Sequence, residues 1–369
     1  MSGPIVWFSG VDWDNVFHTD RRMVEAIAEY HDVIFVDAPS RGQWAGWLRG
    51  QPPAVEQTLP RVRRLRVPAL PLATKPVSRL MTRLLQRWTL RRNLPAGLVP
   101  AAVVVANPVT RFPQSFGGRR ILFATDDWLA GSGLMGLSPR WVRRVVSANA
   151  READAVAAVA PVLLQQLLSL AAEGVTAEVL PNGAPPPGTP PHGSEAVAIL
   201  VGHLNERLDL ACLNAVVDAG VRLRILGPRV DRDPDYARRL DALLGRPGVE
   251  WLGRLVKPEQ VVRELAAVRV GLTPYLINAF NQASFPLKTL DYIAAGLPVV
   301  STDLDASRWL GSEHIRIADG PEAFAQLVVE CIAKPPSRAE SQDLQRLAGE
   351  HGWPERAAQM LRLAGIATD

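Results

Sequence analysis

Short apolar runs alternate with amphipathic stretches along most of the chain. PIVWFSG (4–10), DVIFVDAP (32–39), AAVVVANP (101–108) and RRILFATDD (119–127) each set four to six apolar residues, rich in Val and Ile, before a Gly, Pro or Asp. Runs this short and continuous predict strands buried on both faces, as in a parallel sheet. Between them, HTDRRMVEAIAEYH (18–31) brings Met23, Ile27 and Tyr30 to helical spacing. PRWVRRVVSANAREA (139–153) follows Ser138 as N-cap, with Pro139 at the first helical position. Strand, helix, strand predicts a doubly wound α/β sheet.

The pattern then restarts. After AVAAVAP comes AEVLPNGAPPPGTPPHGSE, too dense in Pro and Gly for helix or sheet. New strands are predicted at AVAILVG (196–202), RLRILG (222–227), VEWLG (249–253), VRVGLTPY (268–275) and LPVVST (297–302). The expected organisation is a first Rossmann-like domain over 1–183, a linker over 184–194 and a second such domain over 195–345. A terminal segment, 346–369, holds the helix GWPERAAQMLRLAGI and is expected to pack back toward the first domain. No repeat with a solenoid period is present.

Length supports two cores, since 369 residues exceed what one hydrophobic core comfortably holds. With 47% hydrophobic and 21% charged residues, the chain is a globular protein and not a disordered one. Cys212 and Cys331 are far apart and lack metal-ligand spacing, so a reducing, cytoplasmic location is expected, with neither a disulfide framework nor a zinc site. The start, MSGPIVWFSG, has no signal-peptide pattern, and no apolar run approaches a membrane span of about 18 residues. A net charge of +4 is mild evidence for anionic partners.

The most informative stretch is FPLKTLDYIAAGLPVVST (285–302). Pro286 needs no backbone donor at a helix start, so a helix is expected to begin near Leu287 to Thr289 and to end at Gly296. The free N–H groups of Leu287, Lys288 and Thr289, the positive end of the helix dipole and the Lys288 ammonium would together form an anion site suited to a phosphate or diphosphate. One turn deeper, the Asp291 carboxylate could accept hydrogen bonds from a vicinal diol such as a ribose. The plainer alternative is an ordinary helix–strand unit, with Asp291 as a first-turn acid and Lys288 solvated.

This stretch resembles the signature of GT-B glycosyltransferases of family 4, the glycosyl transferases group 1. LVGHLNERLDL (200–210), VEWLGRL (249–255) and VLPNGA (179–184) are similar to further segments of that family and fall in its order. The first half, through SGVDWDNVFHTDRRMVEAIAEYHDVIFVDAP and ILFATDDW, more weakly resembles a bacterial subgroup tied to cell-surface polysaccharides. The resemblance implies two Rossmann-like domains facing a central cleft. It also implies a metal-independent, retaining transfer from a nucleoside-diphosphate sugar, which serves as co-substrate with no other cofactor. The family's ribose-contacting glutamate falls on Asp291, whereas its sugar-contacting glutamate, eight positions earlier, falls on Ala283. Its diphosphate-binding Gly-Arg turn falls on Gly202 and His203, with Arg207 as the nearest basic follower. The turn that packs on the nucleobase falls on Arg254 and Leu255.

On the acceptor side, His18 follows the strand-end loop SGVDWDNVF, and Asp126 and Asp127 close a strand. These three are the candidate catalytic residues. The plainer readings are a helix-start residue for His18 and a cap or turn for the aspartates. GSGLMG (131–136) spells G-x-G-x-x-G, but DWLA separates it from the strand and the next helix starts after Ser138, so nicotinamide binding is not expected. TDD could also be the metal-binding motif of the other main glycosyltransferase fold, which a second set of strands argues against.

From Arg61 to Arg92 there are ten Lys or Arg and no acid. Arg79, Arg83, Arg87 and Arg91 fall four apart, and Val77, Met81, Leu84, Leu85 and Trp88 gather on a different face. A basic amphipathic helix over Val77–Arg92 is expected. It either packs on its domain with a solvated basic face or lies peripherally on an anionic membrane, at the inner face of the plasma membrane. Nucleic acid is not an expected partner, because no stacking aromatics are interleaved with the basic residues. The function expected is transfer of a sugar from a nucleoside diphosphate to an envelope glycan, glycolipid or small natural-product acceptor. The alternative is a catalytically silent GT-B protein that binds a nucleotide sugar or glycan beside a partner enzyme.

Overall fold

The computed structural model describes residues 3–14, 18–39, 49, 55–69, 76–188, 195–254 and 258–367. It divides into two α/β units, Met1–Asn182 with Trp353–Asp369, and Gly183–Gly352.

In the first unit the described residues form an eight-stranded sheet in the order β3-β4-β2-β1-β5-β6-β7-β8. The strands are β1 (Ile5–Ser9), β2 (Val33–Val36), β3 (Val55–Leu59), β4 (Val62–Leu65), β5 (Ala102–Ala106), β6 (Arg119–Ala124), β7 (Ala155–Ala158) and β8 (Thr176–Val179). Only β3 runs antiparallel to its neighbour. The central strands β1, β2 and β5 are wholly buried, which is why they read as unbroken apolar runs. Chain order reverses at the β1/β5 pair, so the loop after β1 lies at a topological switch point. Helix α1 (Thr19–Ile27) follows that loop and buries Met23, Val24 and Ile27. The helix ends before Tyr30, which is exposed and not part of the apolar face expected of it.

Helix α2 (Pro76–Asn93) forms where a basic helix was expected, but its apolar row faces solvent. Leu80, Met81, Leu84 and Trp88 are exposed, while Thr89, Leu90 and Leu94 anchor the C-terminal end by burial. The side chains of Val77 and Arg79 lie outside the described residues. Helices α3 (Pro139–Glu152) and α4 (Pro161–Leu168) each carry Pro in the first turn, where its missing N–H costs nothing.

In the second unit the described strands form a parallel six-stranded sheet in the order β11-β10-β9-β12-β13-β14. These are β9 (Val197–Val201), β10 (Arg222–Leu226), β11 (Val249–Trp251), β12 (Val270–Thr273), β13 (Val299–Thr302) and β14 (Ile315–Ala318). Connecting helices are α5 (Leu210–Asp218), α6 (Pro234–Leu244), α7 (Pro258–Ala267), α8 (Ala279–Gln282), α9 (Leu287–Ala294), α10 (Asp305–Leu310) and α11 (Pro321–Ala333). The helix expected within 352–366 forms, and another precedes it. α12 (Arg338–Glu350) belongs to the second unit, and α13 (Trp353–Leu363) packs against α1 in the first. No helix among the described residues is long and apolar enough to cross a membrane.

Strands β9 and β12 pair only at Val270↔Ala198 and Gly271↔Ile199 before they splay at the switch point. The fully buried Tyr292 of α9 fills the splay. Its hydroxyl accepts from the Val201 N–H at 2.8 Å, a donor the parting strands leave without a ladder partner, and it lies 3.3 Å from the Leu272 carbonyl oxygen. Gly271 makes room for the ring: a Cβ there would come within 2.4 Å of it. Tyr292→Phe keeps the shape but leaves the buried Val201 N–H unsatisfied. The variant is expected to lose about 1–3 kcal/mol of stability in urea denaturation.

Candidate functional site

Three strands of the second unit end in glycines with left-handed backbone: Gly202 after β9 (φ 125°), Gly227 after β10 (φ 146°) and Gly253 after β11 (φ 66°). The Gly202 N–H bonds the Leu226 carbonyl and the Gly227 N–H bonds the Gly253 carbonyl, so the chain ends are laced edge to edge. A Cβ on Gly227 would fall 1.8 Å from the Gly202 oxygen, which only glycine avoids. On the open side of Gly202 lies Lys288, whose Cε would be 3.4 Å and Nζ 3.7 Å from a Cβ built there.

Lys288 sits in the first turn of α9, which starts at Leu287 after Pro286 as N-cap. The side chain is only 6% exposed. Among the described residues no carboxylate pairs with its buried Nζ, which lies 4.5 Å from the centroid of the Tyr275 ring. Burial pushes the ammonium below its ordinary pKa; the Tyr275 phenol opposes this and Arg207 adds to it.

Arg207 is held between two rings, its guanidinium carbon 4.8 Å from the centroids of both Tyr275 and Phe280. Its Nε donates to the Asn281 Oδ1 at 2.9 Å, and the Asn281 amide donates back to the Arg207 and Leu276 carbonyls. Asn281 is fully buried and acts as a bracket for the arginine. The His203 side chain reaches solvent, yet desolvation of its ring, then the cations of Lys288, Arg207 and Arg254, depress its pKa. Two buried or stacked cations, an exposed Arg254 and a neutral imidazole therefore gather where β9 and α9 meet. Cations gathered beside a helix start favour an anion.

The remaining donor-side candidates fall differently. Asp291 is half-buried on the second turn of α9. The Thr289 hydroxyl is buried and shares a hydrogen bond with Thr273 at 3.0 Å, so its contribution to an anion site would be its backbone. Leu255 lies outside the described residues. Ala283 is fully buried at the C-cap of α8, and no acid is displayed at that position. Gly296, with φ 75°, follows the end of α9.

In the first unit, the loop after β1 and the start of α1 gather buried polar groups. His18 is the N-cap of α1, and its buried Nε2 has no hydrogen-bond partner among the described residues. Burial brings its pKa down to about 3, opposed by a hydrogen bond with the Asp12 backbone and assisted by Arg21 and Arg22. A neutral ring of such low basicity suits a hydrogen bond to a hydroxyl better than proton abstraction. Asp20 is buried, accepts from the Ser9 hydroxyl at 2.6 Å and the Gly10 N–H at 3.2 Å, and is raised to about 6 chiefly by burial, with Asp126 adding repulsion. Thr19 bonds Asn182 at 2.8 Å.

Asp127 serves the backbone. Its Oδ1 accepts from Leu129 and Ala130 N–H at 3.0 Å each, capping the single helical turn Ala130–Ser132. The plain reading of that aspartate, a cap, is what the geometry supports. The turn also occupies the G-x-G-x-x-G stretch, whose glycines therefore open no helix after a strand. Sequence reasoning missed Tyr275, Phe280, Asn281 and Asp20. The first three lie on the approach to α9, where two aromatics shortly before the helix were the signal, and Asp20 reads as an ordinary first-turn acid.

Residues 196–334 match the family described as glycosyl transferases group 1. A Bacillus subtilis (strain 168) protein named as a teichuronic acid biosynthesis glycosyltransferase, TuaH, is 27% identical over 127 residues, which cover 34% of this chain and 32% of that protein. The match thus spans about a third of that relative's length. Among solved structures, the sucrose-phosphate synthase of Thermosynechococcus elongatus aligns with a TM-score of 0.71 at 16% identity, over 98% of each chain. The trehalose-6-phosphate synthase of E. coli bound to UDP-2-fluoro glucose aligns with a TM-score of 0.68 at 12% identity, over 99% of each chain. Residues 196–334, all in the second unit, are thus similar to the group 1 glycosyltransferases, and the two Rossmann-like units have the GT-B fold.

Proposed function

We propose that the protein is a glycosyltransferase that moves a sugar from a nucleoside-diphosphate sugar to a glycan, glycolipid or small-molecule acceptor, with retention. The observation that carries this reading is the buried Lys288 ammonium. It lies beside the open face of Gly202 with no carboxylate paired to it among the described residues, and Arg207 is locked in place next to it. A diphosphate would supply the missing charge. In this reading the free N–H groups at the start of α9 hold the phosphates against the open face of Gly202, Asp291 takes the ribose hydroxyls, and His203 and Arg254 border the nucleotide.

The chemistry follows from where charge appears. Breaking the bond between the anomeric carbon and the diphosphate leaves both electrons on the leaving oxygen. Fixed cations and helix N–H groups stabilise that oxygen more in the transition state than in the ground state. These groups would make a divalent cation unnecessary. On the acceptor side, His18 offers a hydroxyl a buried ring nitrogen that has no hydrogen-bond partner among the described residues, and Asp126 is the candidate to take the hydroxyl's proton, since its neighbour Asp127 spends an oxygen on two backbone donors. A cytoplasmic location, where nucleotide sugars are made, suits two buried, unpaired cysteines.

A thermal-shift panel of UDP-, GDP- and dTDP-sugars, run with a metal chelator, tests the reading. At least one should raise the melting temperature, by an amount equivalent to about 2.7 kcal/mol at a hundredfold excess over its Kd. That donor should then be hydrolysed or transferred in the same buffer. No shift with any nucleotide would overturn the assignment.

A further inference from the structure

We propose that helix α2 is a docking surface for an anionic lipid bilayer. The inference concerns the first unit alone and does not depend on the donor site. At 100° per residue, Leu80, Met81, Leu84 and Trp88 fall with Arg87, Arg91 and Arg92 inside one arc of about 140°. All seven are exposed. The opposite side holds the buried Thr89, and Leu90 and Leu94 lie beyond the arc's edge, so the helix is tethered at its C-terminal end while the described residues leave this arc uncovered.

Four large apolar side chains in solvent on one helix face are a cost that a folded chain normally avoids by packing. Leu80 is 59% exposed and Leu84 48%. The distribution of charge chooses the occupant. The whole helix, Pro76–Asn93, contains no Asp or Glu, and its exposed arginines crowd the end next to Trp88. Arg92 stacks over the Trp88 ring, its guanidinium carbon 5.5 Å from the centroid. An indole flanked by arginines matches the boundary between acyl chains and phosphate headgroups, with Leu80, Met81 and Leu84 reaching inward and the guanidinium groups on the phosphates. An apolar protein partner would not call for uniform positive charge.

Flotation of the full chain with lipid vesicles decides the matter. Two compositions are compared, pure phosphatidylcholine and phosphatidylcholine with about 30% phosphatidylglycerol. Binding is expected only to the anionic vesicles and should weaken as salt is raised. The double variant Leu84→Glu/Trp88→Glu should lower vesicle affinity at least about tenfold. Its substitutions lie on exposed positions, so an unchanged circular dichroism melt and unchanged nucleotide binding should accompany the loss. Two outcomes overturn the proposal: failure of the wild type to float with anionic vesicles, or equal flotation of the double variant. A wild-type dimer that the variant converts to monomer, without vesicle binding, would assign the face to a second copy instead.

Discussion

Replacing Lys288 or Arg207 by Ala should weaken binding of a nucleoside diphosphate by about 1.5–3 kcal/mol each, the scale of hydrogen bonds to charged groups. Calorimetry would read this as about a tenfold to 150-fold rise in Kd. Lys288→Met should do something further: it should raise the melting temperature of the ligand-free protein. The wild-type chain buries an ammonium with no carboxylate paired to it among the described residues, and an apolar side chain of similar length removes that desolvation cost.

The pH dependence has a definite sign. Burial holds the folded-state pKa of Lys288 below the ordinary 10.5. Between the two values the unfolded chain keeps a proton that the folded chain has released, so wild-type stability rises with pH across that window. Below it the full penalty persists. The advantage of Lys288→Met should therefore be largest below the folded-state pKa and shrink as pH rises toward 10.5. Unchanged nucleotide affinity in both alanine variants, or a less stable Met variant, would refute the placement.

The largest stability loss is expected for Gly227→Ala. Its Cβ would stand 1.8 Å from the Gly202 oxygen and 2.7 Å from the Gly202 carbonyl carbon, and both are backbone atoms that cannot turn aside. A φ of 146° adds strain for any L residue. Urea denaturation should show a loss of about 4 kcal/mol or more, or no folded protein. Gly202→Ala makes the contrast. Its Cβ meets only the flexible end of Lys288, at 3.4 Å, so it should fold, with a smaller loss, while crowding the position proposed for phosphate.

How much of this was legible in sequence depends on where each signal resides. The strands buried on both faces announced themselves, because a central parallel strand must be apolar at consecutive positions. The β3–β4 hairpin did not: VEQTL is an edge strand exposed over Val55–Gln57, so no apolar pattern marks it. Lys288 and Arg207 were legible as cations near a turn and a helix start. What fixes them was not, since Asn281 meets Arg207 across 74 residues of sequence and Tyr275 matters only through the cations above its ring. Asp126 and Asp127 look equivalent in sequence. Only the fold separates them, by spending one oxygen of Asp127 on two backbone donors.

The Tyr292 wedge carries one more implication. A side-chain hydroxyl, and not a neighbouring strand, protects the amide immediately before Gly202. The end of β9 is consequently sealed only while α9 is docked. Local opening of that helix would expose the Val201 amide and scatter Lys288 and Asp291 in the same event. Strand end and phosphate cradle thus form a single cooperative unit, whose opening hydrogen exchange at Val201 would time.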